Sequence, residues 1–128
     1  MAKIALWGAG LMMLVVGALH LVAPQMMMNP ANINLTSTNH FHVVRAAYGG
    51  AYLGIATLFL LGALWPLYRH ASLVAIAVLF CGFALGRVYS IAADGLPAPL
   101  YLAVFMFEVL FATLATLSLR SERLITPH

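Results

Sequence analysis

Four runs of about twenty apolar residues each, the length a transmembrane helix needs, take up most of a 128-residue chain. Residues 4–24, 43–65, 71–93 and 100–119 are long enough to cross a hydrocarbon core of about 30 Å at a helical rise of about 1.5 Å per residue. Only 7% of the residues are charged and 64% are hydrophobic, whereas a soluble domain carries about 25% charge. The runs do not alternate polar with apolar residues, as a membrane barrel requires. The expected fold is all-α: one domain, an integral membrane bundle of four transmembrane helices.

The first run begins like a secretory leader. Lys3 precedes an apolar stretch from Ile4 to Val16, and Val16-Gly17-Ala18 offers a cleavage site. The apolar residues continue to Ala23, which favours a retained first helix. Cys81 is the only cysteine, so an intrachain disulfide and a cysteine metal set are both excluded. Charge outside the runs is one-sided. Lys3, Arg69, Arg120 and Arg123 fall on one side, with Arg69 read as lying in a turn. The loops 25–42 and 94–99 on the other side hold no Lys or Arg. The positive-inside rule predicts that both termini are cytoplasmic and the two loops periplasmic or external, in a multi-pass protein of an inner membrane. The formal charge of +3 follows from this topology, and without a basic face interleaved with aromatics no nucleic-acid partner is expected.

Loop chemistry refines the boundaries. Asn29-Pro30 signals a turn, and Thr38 or Asn39 is the expected cap of the second span. Gly95 is expected to leave the third span through a left-handed turn, with Pro97 and Pro99 preventing its continuation.

Four charges remain inside the apolar runs or at their edge: Arg45, Arg87, Asp94 and Glu108. A charge near the middle of a bilayer costs about 3 kcal/mol on insertion scales unless paired or hydrated, and the four together sum to zero. Helical spacing gives each a face: Arg45, Tyr48, Gly49 and Tyr52 in the second run; Arg87, Ser90 and Asp94 in the third; Tyr101, Phe105 and Glu108 in the fourth; Gly10, Met13, Gly17 and His20 in the first. Lipid offers no hydrogen bonds, so the four polar faces are expected to converge on the bundle axis and form an outward-opening pocket floored by Glu108. Depth suggests the pairs Arg45–Asp94 and Arg87–Glu108. Gly50/Gly54 and Gly82/Gly86 have GxxxG spacing, expected to serve close packing within the monomer.

Two arginines can clamp a polar or anionic group with bidentate hydrogen bonds. The expected ligand-binding set is Arg45, Tyr48, Arg87, Ser90, Asp94, Glu108 and His20, and the expected partner is a membrane lipid or lipid-like small molecule. His40-Phe41-His42 carries weak metal-ligand spacing, but a role at the start of the second helix fits both histidines better, and no metal is assigned. No cofactor and no catalytic motif can be named. Two other classes remain open. One is a non-catalytic subunit or homo-oligomer within a larger membrane complex. The other is a small isomerase or oxidoreductase on a lipidic substrate, with Tyr48, Glu108 and His20 as acid–base groups.

The order of motifs is also informative. Asn29-Pro30-Ala31-Asn32, then Arg45-Ala46-Ala47-Tyr48-Gly49-Gly50 with Gly54, then Leu85-Gly86-Arg87 with Ser90 and Asp94-Gly95-Leu96-Pro97, and then Glu108 resembles a bacterial family of small four-helix membrane proteins. That family is known only as a domain of unknown function and is similar to the DoxX/DoxD-like group. The resemblance implies the four-helix fold and gives no substrate. DoxX-like relatives imply, by analogy, an accessory role beside respiratory or redox systems.

Overall fold

The computed structural model describes residues 1–125 and the side chains of residues 1–122. The Arg123 side chain, counted above among the basic residues of one side, lies outside the described residues. Helix α1 spans Ala2–Val22. A short α2, Pro24–Met28, and a 3-10 turn, Asn29–Ala31, follow. The long helices α3 (Thr38–Leu64), α4 (Pro66–Asp94) and α5 (Pro99–Ile125) complete the chain. Helices α1, α3, α4 and α5 are each long and apolar enough to cross a membrane, and the described residues contain no strand. The chain is a four-helix, multi-pass membrane protein.

Two spans start five residues earlier than the hydropathy suggests. Helix α3 begins at Thr38, and its cap is Ser37, one residue before the expected Thr38 or Asn39. The Ser37 Oγ accepts from the His40 N–H at 3.3 Å. His40 reaches back in turn, its Nδ1 accepting from the Thr36 N–H at 3.2 Å, the reciprocal logic of a capping box. Helix α4 begins at Pro66, with Arg69 in its first turn rather than in a loop. Proline suits the first helical position because its missing N–H would have no partner there. The preceding Trp65 is extended (φ −120°, ψ 124°), as residues before proline prefer, and it alone separates α3 from α4. Gly95, at φ 93° and ψ −174°, ends α4 in positive-φ backbone that a side chain would disfavour, though not in the left-handed turn expected of it, and Pro99 opens α5. The Asn29-Pro30 turn is a 3-10 turn ending in left-handed Asn32 (φ 56°). Gln25 ties this loop together, donating to Asn29 Oδ1 at 2.7 Å and accepting from the Leu35 N–H at 2.8 Å.

Sequential helices run antiparallel. Gly17 faces Gly49 and Leu53 while Gly10 faces Phe59 and Leu60, which sets α1 against α3. Gly62 faces Ser72 across the next pair. Arg87 with Glu108 and His70 with Glu122 fix α4 against α5. Helix α5 also packs back on α1, so the bundle closes.

Close approach is achieved where glycine removes the side chain. A Cβ on Gly17 would lie 3.2 Å from the Gly49 oxygen and 3.0 Å from the Leu53 nitrogen. Gly62 lies directly against the Ser72 side chain, whose buried hydroxyl donates across the helices to the Leu58 carbonyl at 2.7 Å. The GxxxG glycines behave otherwise. A Cβ on Gly54, Gly82 or Gly86 would meet nothing within 4 Å, and one on Gly50 would approach only the Arg45 carbonyl oxygen of its own helix. These glycines lie on exposed faces and do not pack the monomer, contrary to the expectation from spacing. Period alone does not say which face of a helix meets its neighbour when every face is apolar.

The core is lopsided. Leu6, Phe59, Leu73, Ile76 and Phe80 are fully buried, with Phe111 and Ala115 against them. Phe80 is the hub, with ring centroids 6.3 Å from Phe59 and 6.4 Å from Phe111. All of these lie toward the Trp65 turn. No residue of α4 beyond Phe80 and none of α5 before Glu108 is buried. Toward the Gly95 turn the α4–α5 hairpin stands away from a packed core.

Candidate functional site

Glu108 is the first buried residue of α5 on the way in from the Gly95 turn. Its carboxylate takes both hydrogen bonds of a bidentate pair with Arg87: Nε donates to Oε2 at 2.6 Å and Nη2 to Oε1 at 2.9 Å. Such charge-assisted pairs are short and orientationally specific. The expected Arg87–Glu108 pair is therefore present. The two partners are not equally sheltered. The Glu108 side chain is 5% exposed and that of Arg87 31%. Glu108 fixes the guanidinium through two hydrogen bonds, and Arg87 is the more exposed partner.

Arg87 also borders a cleft of about 350 Å³ between α4 and α5. Arg87, Ser90 and Ile91 line it from α4, Tyr101, Leu102 and Phe105 from α5, and Ala31 and Pro97 from the loops. Its lining includes Arg87 rather than Glu108, which corrects the expectation that Glu108 is the floor. Tyr101 and Phe105 could be anticipated, since they share a helical face with Glu108. Ala31 and Pro97 could not, because their place depends on how the loops fold over the helix ends.

The Arg45–Asp94 pair does not form. Arg45 is exposed; its Nε donates to the Leu21 carbonyl at 3.0 Å, and its guanidinium stands 5.6 Å from the centre of the Phe41 ring. Leu21 is in the last turn of α1, where carbonyls lack helical partners and where a cation is favoured by the helix dipole. Asp94, also exposed, accepts from Ser90 Oγ at 3.2 Å within its own helix. The reason lies in α3. Over Arg45–Gly50 that helix widens to π-type hydrogen bonding. A π turn takes up an extra residue, so positions on either side of it no longer share the face that a 3.6-residue period gives them. Arg45 is thereby turned toward the end of α1, and the four polar faces do not all converge.

His20, Tyr48 and Tyr52 form a separate ring cluster beside the pair. His20 stacks on Tyr48 at 5.5 Å and meets Tyr52 edge-on at 5.8 Å; the two tyrosines are 5.9 Å apart. His20 is buried, and its Nδ1 hydrogen-bonds the Val16 carbonyl at 2.8 Å. As a donor at Nδ1 it leaves Nε2 as the acceptor of the neutral ring. Tyr52 lies within electrostatic reach of both Arg87 and Glu108 and so joins the cluster to the ion pair. Tyr52 shares the helical stripe of Tyr48 and is an addition to the expected set. No three His, Cys, Asp or Glu side chains converge into a metal-binding group among the described residues, and His40 is engaged at the start of α3.

A family model for a domain of unknown function, DUF4345, matches residues 1–119. The chain belongs to the DUF4345 family. The ion pair, the ring cluster and every residue lining the cleft fall inside the matched DUF4345 region. No curated protein and no solved structure matches this DUF4345 protein.

Proposed function

We propose that this protein binds a lipid-like small molecule by its polar head in the open half of the bundle, with Arg87 as the anchor. The observation that carries this reading is the Arg87 guanidinium, fixed by buried Glu108 and forming part of an open, largely apolar cleft. The cleft volume falls in the range of small-molecule sites, about 300–1,000 Å³. Ser90 and Tyr101 add hydroxyls, and Phe105, Leu102 and Ile91 supply apolar walls. Glu108 cancels the charge of Arg87, and Arg45 is committed to Leu21. A neutral head with hydrogen-bond-accepting oxygens, such as a quinone carbonyl or an ester, is thus favoured over a free anion. His20, Tyr48 and Asp94 support the site from outside the cleft. The one-sided basic residues favour cytoplasmic termini, and the resemblance to a bacterial family favours a bacterial inner membrane as the setting.

The test is native mass spectrometry of gently extracted wild type beside the double variant Arg87→Gln/Glu108→Gln. The double variant keeps a neutral hydrogen-bonded pair and removes the cationic anchor. A small molecule carried by the wild type and lost from the double variant, at similar melting temperature, is the expected result. An empty wild type, or equal retention by both, contradicts the reading.

One observation favours a second reading, a non-catalytic subunit of a larger membrane assembly. Gly54, Gly82 and Gly86 present open faces on which another helix can approach closely. The DoxX-like order of motifs points the same way by analogy. Tryptophan at Gly82 then disrupts a complex that survives mild extraction, while leaving any molecule in the Arg87 cleft in place.

A further inference from the structure

A second hollow lies on the α4–α5 seam, a groove of about 440 Å³ whose lining does not include Arg87. Cys81 and Leu85 stand on its α4 side, Val109, Thr113 and Leu117 on its α5 side, and Arg120 is its one charged residue. All six are exposed, so in a multi-pass protein the groove faces the membrane. Its threonines offer no free donor: Thr113 Oγ1 donates to the Val109 carbonyl at 2.7 Å and Thr116 Oγ1 to that of Ala112 at 2.8 Å. Along α5 from Val109 to Arg120 the groove runs about 16 Å at about 1.5 Å per residue, about half of a hydrocarbon core of about 30 Å. The Arg120 side chain makes no hydrogen bond or ion pair with another described residue. An apolar track about one leaflet deep, ending at a single unpaired cation, matches an acyl chain beneath a phosphate in both polarity and charge.

We propose that this groove seats the acyl chain of an anionic phospholipid whose phosphate pairs with Arg120. The proposal stands independently of the Arg87 cleft. A phosphate beside an arginine forms charge-assisted, often bidentate hydrogen bonds, and a juxtamembrane cation is attracted to an anionic leaflet. The groove would hold one lipid in preference to the freely exchanging ones around it.

The test uses the whole protein in nanodiscs of phosphatidylcholine, with and without phosphatidylglycerol, read by melting temperature and by native mass spectrometry after release. Wild type is expected to melt higher with phosphatidylglycerol and to retain one such lipid, whereas inorganic phosphate alone gives no shift. Arg120→Gln should weaken retention about fivefold, the loss of one near-surface cation. Thr113→Phe, which fills the groove from an exposed position, should lower retention with Arg120 intact. Lys3→Gln and Tyr101→Phe should leave retention unchanged, the first separating Arg120 from general basicity and the second separating this groove from the Arg87 cleft. Equal retention by Arg120→Gln and wild type overturns the proposal, as does an equal loss in Lys3→Gln. A dimer disrupted by Thr113→Phe without lipid loss assigns the groove to a second copy of the chain and overturns it too.

Discussion

The two ends of this bundle are built on opposite principles. Toward the Trp65 turn, Leu6, Phe59, Leu73, Ile76 and Phe80 are fully buried, and Gly62 lets Ser72 reach a carbonyl on the neighbouring helix. Toward the Gly95 turn, α4 has no buried residue after Phe80, and α5 has none before Glu108. In lipid, helices gain little from hiding apolar surface and associate through packing and interhelical hydrogen bonds. The dense end satisfies that requirement. The open end instead concentrates the intramembrane ion pair, the ring cluster of His20, Tyr48 and Tyr52, and the Arg87 cleft. One end holds the helices together, and under the proposed function the other offers its polar groups to a ligand.

The sharpest way to break this contrast is at the ion pair, the one strong interaction of the open end. Glu108→Leu leaves the Arg87 guanidinium without its partner, and removing one partner of a buried pair typically costs about 3–5 kcal/mol. Thermal unfolding in detergent should register most of that loss. Arg87→Leu added to Glu108→Leu should restore much of it, since apolar replacement of both partners is often neutral. If the double variant stays as unstable as the single one, the pair is not the local cause.

A smaller effect separates the two kinds of glycine. Gly62→Ala drives a methyl into Ser72 and should cost about 1–3 kcal/mol, as overpacking does. Gly82→Ala meets open space and should be neutral or gain up to about 1 kcal/mol from helix propensity. Melting temperatures of the two variants, measured side by side, check the contrast; a similar loss from Gly82→Ala would mean that its open face is covered in the native assembly. The smallest effect belongs to Arg45. Arg45→Gln removes the cation that serves the Leu21 carbonyl and should cost about 1 kcal/mol or less, with no effect on occupancy of the Arg87 cleft. A loss of occupancy would place Arg45 in the site after all.

The four spans were legible in the sequence because hydropathy over about twenty residues depends on no tertiary detail. The Arg87–Glu108 pair was legible too, since two opposite charges at similar depth in adjacent helices have few other partners in lipid. The Arg45–Asp94 pair misled because a π turn at Arg45–Gly50 shifts the helical phase, and a run of small residues does not announce it. The GxxxG spacings misled because every face of these helices is apolar, so packing is decided by local fit at Gly17, Gly49 and Gly62. The cleft walls were half legible: Tyr101 and Phe105 follow from the face of Glu108, whereas Ala31 arrives through a loop that Gln25 organises.

The central claim is that the dense end carries stability and the open end carries the ligand. It is tested most directly by measuring melting temperature and ligand occupancy together, in wild type, Gly62→Ala, Tyr101→Phe and Arg87→Gln/Glu108→Gln. The account predicts that Gly62→Ala lowers the melting temperature at unchanged occupancy, and that the two cleft variants lower occupancy at nearly unchanged melting temperature. Occupancy and melting temperature falling in step across all three variants would contradict it.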